Sequence, residues 1–110
     1  MRRLVNRYSS PSPESAPLLL SGAGSLFDLV VFNPGAAAKV VQIYDAAALS
    51  EGVSSPVCIL GTVPAGGYAS VSFVNGLPFN AGIIVNLNAA CGAYSATGAG
   101  TAMVCATVAK

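Results

Sequence analysis

The stretch YASVSFVNGLPFNAGIIVNLN, residues 68–88, decides the fold class. In its first part Ala69, Val71 and Phe73 fall on one side of an extended chain, and Ser70 and Ser72 on the other. In its last part Ile83, Val85 and Leu87 oppose Asn86 and Asn88. A side-chain period of two belongs to a β-strand with one buried face. The Asn75-Gly76 pair between them, followed by Leu77-Pro78-Phe79, suits a tight turn joining antiparallel strands.

Working outward, similar short runs of Val, Ile, Leu, Phe and Tyr recur at 17–21, 26–33, 39–45, 56–63 and 101–108, giving seven predicted strands with 68–74 and 82–88. Asn33-Pro34-Gly35 and Pro64-Ala65-Gly66-Gly67 separate them as turns. Residues 35–38 and 46–50 are too short for more than a helical turn. The predicted fold is all-β: a single antiparallel β-sandwich or jelly-roll-like domain of about seven strands over residues 18–110. Residues 1–17 contain Pro11, Pro13 and Pro17 among four serines, which predicts an extended, unpaired N-terminal arm.

The chain is 110 residues long, enough for one core, and 54% of its residues are hydrophobic. Only 8% are charged, against about 25% in an ordinary soluble domain. Arg2, Arg3, Arg7 and Glu14 lie at the start, and no Asp, Glu, Lys or Arg occurs from Gly52 to Ala109. A lone domain with so little charge lacks the repulsion that keeps copies apart, so this stretch reads as surface that meets other subunits. No apolar run reaches the length of a membrane-spanning helix. Asn6, Arg7, Ser9, Ser10 and Glu14 interrupt the N-terminus, which does not read as a secretory signal.

The absence of His removes Ser-His-Asp and Cys-His catalysis, and the four acids are too dispersed to act as an acid-base pair. The expectation is a protein that is not an enzyme and holds no cofactor or metal. Gly22-Ala23-Gly24 and Gly98-Ala99-Gly100 match G-x-G but lead into no helix, so they read as turn glycines. Asp28 and Asp45 fall short of a calcium ligand set and read as structural hydrogen-bond or pairing residues, with Lys39 as a candidate partner. Cys58, Cys91 and Cys105 have no metal-type spacing; the favoured reading is three reduced, buried thiols, the alternative a Cys91–Cys105 bridge.

A net charge of +1 argues against general nucleic-acid binding. The basic start instead offers Arg2, Arg3, Arg7 and Tyr8 as contacts to a partner. The small-residue segment 89–100 around Tyr94 reads as a close-packing surface in preference to a flexible loop, which adds Tyr94 to those contacts. Tyr44, Tyr68 and Tyr94 would form a stacking platform only on one exposed face, and core or interface anchoring is the better reading.

Four segments carry a resemblance: Val31-Phe32-Asn33, residues 41–46 (VQIYDA), residues 63–67 (VPAGG) and residues 79–83 (FNAGI). Over about residues 26–108 the chain resembles small virion structural proteins of tailed bacteriophages. The resemblance implies a β-sandwich cement or decoration protein that binds and stabilises a capsid, located in the virion after synthesis in the host cytoplasm. Implied partners are the major capsid protein or other virion proteins and further copies of the chain, a trimer being favoured, with neither nucleic acid nor membrane. The alternative is a ligand- or receptor-binding module of a fibre, spike or tail component. On the cement reading, removal of residues 1–14 would weaken incorporation without unfolding the sandwich.

Overall fold

Alternating apolar residues punctuated by Gly, Pro and Asn produce strands throughout a computed structural model that describes residues 5–10, 12, 14–50, 54–89 and 101–110. The described strands are β1 Val5–Ser9, β2 Glu14–Ser15, β3 Leu18–Ser21, β4 Gly24–Phe32, β5 Lys39–Asp45, β6 Cys58–Val63, β7 Tyr68–Phe79, β8 Gly82–Asn88 and β9 Thr101–Ala109. No helix occurs among the described residues, and the protein is all-β. The seven predicted stretches overlap β3 to β9, but the described strands number nine, because β1 and β2 add to them.

The strands form two antiparallel sheets. Sheet I has the order β1-β9-β4-β7, with β2 also on β9, and sheet II has the order β3-β8-β5-β6. The pairs β5/β6, β4/β7, β3/β8 and β1/β9 enclose one another along the chain. The chain is therefore one long antiparallel hairpin, with its tip between β5 and β6, wound so that successive pairs alternate between the sheets.

The core lies between the sheets. Leu26, Leu29 and Val31 of β4 and Ala102, Val104, Ala106 and Val108 of β9 meet Val41 and Ile43 of β5 and Ile83, Val85 and Leu87 of β8. Period-two spacing explains all of these except the step from Leu26 to Leu29. There the β4/β7 register shifts: Leu26 faces Leu77, but Asp28 already faces Ser72. Phe27 of β4 thus stands opposite a four-residue bulge, Phe73 to Gly76, whose Gly76 adopts φ 79°. A Cβ on Gly76 would lie 3.0 Å from the Phe27 ring. The predicted Asn75-Gly76 hairpin turn is therefore a bulge inside one long strand. The chain reverses later, at Asn80-Ala81.

The expectation of an unpaired arm over residues 1–17 also fails in part. Val5–Ser9 pairs along β9 from Val5–Ala109 to Ser9–Cys105, and Glu14–Ser15 pairs at its other end. Ser10 continues the contact, its backbone N–H donating to Val104 O at 2.9 Å while its Oγ accepts from Val104 N at 3.0 Å. Tyr8 packs against the core. The physical reason is that β9 would otherwise be an uncovered sheet edge. The prolines exclude pairing only where they sit, and all three follow residue 10. Removal of residues 1–14 would consequently strip a strand from sheet I.

Candidate functional site

Of the five residues nominated as partner contacts, Arg7 and Tyr8 lie on β1, whereas Arg2, Arg3 and Tyr94 lie outside the described residues, as do Cys91 and nearly all of segment 89–100. Alternation along β1 turns Arg7 and Ser9 outward and Tyr8 toward the core. Tyr8 is half-buried, so it anchors the strand that displays Arg7.

The register builds the outer face of sheet I row by row, because cross-strand partners share a face. Arg7 and Asp28 both pair with Thr107, one from each side, and Asp28 pairs onward with Ser72. The next row is Ser9, Cys105, Val30 and Ser70, and the third is Met103, Phe32 and Tyr68. A shallow cleft of about 170 Å3 opens at the first two rows, lined by Arg7, Tyr8, Ser9, Asp28, Cys105, Ala106 and Thr107. Toward the third row the face becomes apolar: Val30, Phe32 and Tyr68 are 41%, 37% and 71% exposed.

Sheet II is different. The residues of β5 and β8 that turn away from the core, Val40, Gln42, Tyr44, Ile84, Asn86 and Asn88, are all buried. Tyr44 Oη donates to Gln42 Oε1 at 2.6 Å, and Asn88 Nδ2 donates to the same oxygen at 3.2 Å. Asn86, paired in register with Gln42, is fully buried with neither its Oδ1 nor its Nδ2 hydrogen-bonded. Tyr44 is thus buried while Tyr68 is exposed on the other sheet, so these two tyrosines do not form a stacking platform.

The cysteines depart from the reading of three buried thiols. Cys58 is half-buried, and Cys105 is exposed and free, its Sγ 3.6 Å from Ser9 Oγ. Position explains the difference, since Ala102, Val104 and Ala106 take the inward face of β9 and leave Cys105 outside.

The four segments that carry the resemblance meet two by two. Asn33 Nδ2 donates to Val63 O at 3.2 Å and Pro64 O at 3.4 Å, and Gly66 N donates to Asn33 O at 2.8 Å. This knot joins the end of β4 to the β6–β7 turn. At the other end of β5, the Asp45 carboxylate accepts from Ala81 N at 2.8 Å and Asn80 N at 3.0 Å, and Ala46 N donates to Gly82 O. These segments are joints of the sandwich. Lys39 and Asp45 occupy opposite ends of β5, so Asp45 takes backbone partners instead of Lys39.

The Ala81 N–H, then the Asn80 N–H, hold the Asp45 carboxyl below its ordinary range, against a weaker opposing effect of burial. A carboxyl lowered on folding contributes stability above its unfolded pKa near ~4 and loses that contribution as pH falls through the lower folded value. Asp45→Asn should lower stability by about 1.5 kcal/mol at pH 7, with a smaller difference from wild type at pH 3. Urea unfolding at the two pH values checks this.

Comparison with protein-family models, curated proteins and solved structures finds no match to this chain.

Proposed function

We propose that this chain is a structural protein of a bacteriophage virion, a cement or decoration protein that binds the capsid and stabilises it. The observation that carries the reading is the strand order. Two four-stranded sheets ordered β1-β9-β4-β7 and β3-β8-β5-β6 have the connectivity of a jelly roll, an architecture of viral capsid subunits and of lectins. Fold alone does not assign function, so two further features support the choice. The chain has no His and few dispersed acids, which suits a role without catalysis. It also exposes apolar side chains on one sheet face in a sequence nearly devoid of charge, which suits packing against other subunits.

The competing lectin-like reading, a receptor-binding module of a fibre or spike, rests on Tyr94, which lies outside the described residues. The cleft that is described, about 170 Å3, is smaller than the ~300–1,000 Å3 usual for small-ligand sites. Assembly is the better-supported use of the fold, with the major capsid protein as the partner and the virion as the location.

Mixing the purified chain with phage particles that lack it, followed by sedimentation, tests the proposal. Saturable co-sedimentation, with particles that resist heat or chelation better once coated, is the expected result. No binding at about 10 µM chain would overturn the reading.

A further inference from the structure

Strand β4 reads FDLVVF over residues 27–32, apolar at Leu29 and Val31 on one face and at Val30 and Phe32 on the other. Strands with two apolar faces normally lie covered on both sides. In sheet II that holds for the central strands, where the outward residues of β5 and β8 are buried, while Leu18 and Ile59 on its edge strands are exposed. In sheet I the second face of β4 is exposed at Val30 and Phe32, beside the exposed Tyr68 and the half-buried Met103, and no other described strand lies over them. The same exposed face displays one cation and one anion, Arg7 and Asp28, which have no ion pair among the described residues.

We infer that the outer face of sheet I is covered by the same face of a second copy, across a two-fold axis running along β9. The inference rests on the assembly reading and names the surface it uses. Charge and symmetry fix the axis. Arg7 and Asp28 flank Thr107 from opposite sides, one strand away each, so they stand about 10 Å apart across the strands. A rotation that lays Arg7 of one copy over Asp28 of the other must pass midway between them, through Thr107, and lie parallel to the strands. The reciprocal pair then forms automatically, as an isologous contact requires. Each copy supplies one charge of each sign, so the contact is self-complementary, with Arg7 and Asp28 the charges placed on this face among the described residues.

Cys105, two residues from Thr107 on the same outward side of β9, falls on this axis and faces its counterpart. Its cross-strand neighbours there are Ser9 and Val30, with Thr107 and Met103 next along β9, side chains that suit the approach of two sheets at about 10 Å. The axis lays β9 over β9 and β4 over β1 and leaves β7 outside, so the overlap is roughly 30 Å by 15 Å across three strands, about half of the ~800 Å2 per partner of a standard interface, which suits a weak dimer.

The test uses the full chain and two charge reversals. Wild type should sediment at twice the chain mass near 100 µM, in contrast to the trimer implied by the resemblance. Arg7→Glu alone places two acids together at each contact, Asp28→Arg alone places two arginines together, and each should weaken dimerisation at least tenfold. Mixing the two variants restores opposite charges at both contacts, so the mixture should return to a dimer, which a pairing within one chain could not achieve. In a chain carrying Cys58→Ser and Cys91→Ser, a short bismaleimide should link copies through Cys105, each thiol adding across one maleimide double bond, because sheets about 10 Å apart hold the two thiols beyond direct disulfide reach. A wild-type monomer, a trimer, single variants that associate as tightly as wild type, a mixture that stays monomeric, or a failure to cross-link would each overturn the inference. Particle binding by a chain that does not dimerise would overturn this contact alone and leave the assembly reading standing. Dimers that never bind particles would overturn the assembly reading alone.

Discussion

Asn33→Ala is expected to lower the free energy of unfolding by about 3 kcal/mol. Asn33 is 1% exposed, and its side chain works in both directions. Nδ2 donates to Ala37 O at 2.9 Å as well as to the Val63 and Pro64 carbonyls, while Oδ1 accepts from Gly35 N at 3.0 Å. Alanine removes every one of these bonds and leaves several backbone groups to find water or go unpaired. Each stranded group costs about 1 kcal/mol or more where water cannot reach it. Asn33→Asp keeps the acceptor but turns a negative group toward three carbonyl oxygens, so its loss should be at least as large. Urea unfolding followed by circular dichroism reads both variants. A midpoint shift equivalent to under 1 kcal/mol for alanine would show that the knot does not hold the two loops together.

Gly82→Ala should cost a comparable amount, about 3 kcal/mol, by a different route. A Cβ at this position would lie 2.6 Å from Ala46 O and 3.0 Å from Leu20 O, both backbone atoms of neighbouring segments. Neither can swing aside as a side-chain tip would. Gly82 O also accepts from Ala46 N at 3.2 Å, which ties the same two segments at the same place. Relief therefore requires β8 to withdraw from both β5 and β3, disturbing the turn that Asp45 caps. Thermal unfolding should show a drop of roughly 10 °C or more for a domain of this size. A change of less than 3 °C would mean that the three strand ends have slack that the structure does not show.

Much of this was legible beforehand. The period-two runs located β3 to β9, because each of those strands has at least one dry face and the sequence must satisfy it. The β1 strand was hidden by its neighbours: three prolines and four serines dominate the composition of residues 1–17, yet pairing depends on each backbone N–H, and residues 5–9 retain theirs. The Asn75-Gly76 pair misled because a positive φ serves a bulge as readily as a hairpin, and only the partner strand, through Phe27, decides between them.

The nominated contacts fared unevenly for a related reason. Arg7 was found by charge, but its relation to Asp28 depends on the register of two strands with β9, which no local pattern encodes. A signal for the bare face was nevertheless present in Val30 and Phe32, which make β4 apolar on both sides. Asp45 was legible as a structural group, while its partners at Asn80 and Ala81 required the turn to be placed.

The nested pairing also dictates an order of events during folding. Ile43 and Cys58 at the tip find each other over a short loop, whereas Asn33 and Val63 are 30 positions apart and Ser9 and Cys105 are 96. Closing a loop costs more entropy as it lengthens, so zipping from the β5/β6 tip outward is the least costly route, and β1 docks last. Few contacts are local, which places such a chain among slow folders, on the order of milliseconds to seconds. Until β1 arrives, the edge of β9 stays open to the β1 segment of another molecule. At high expression levels, strand exchange between newly made chains would begin there.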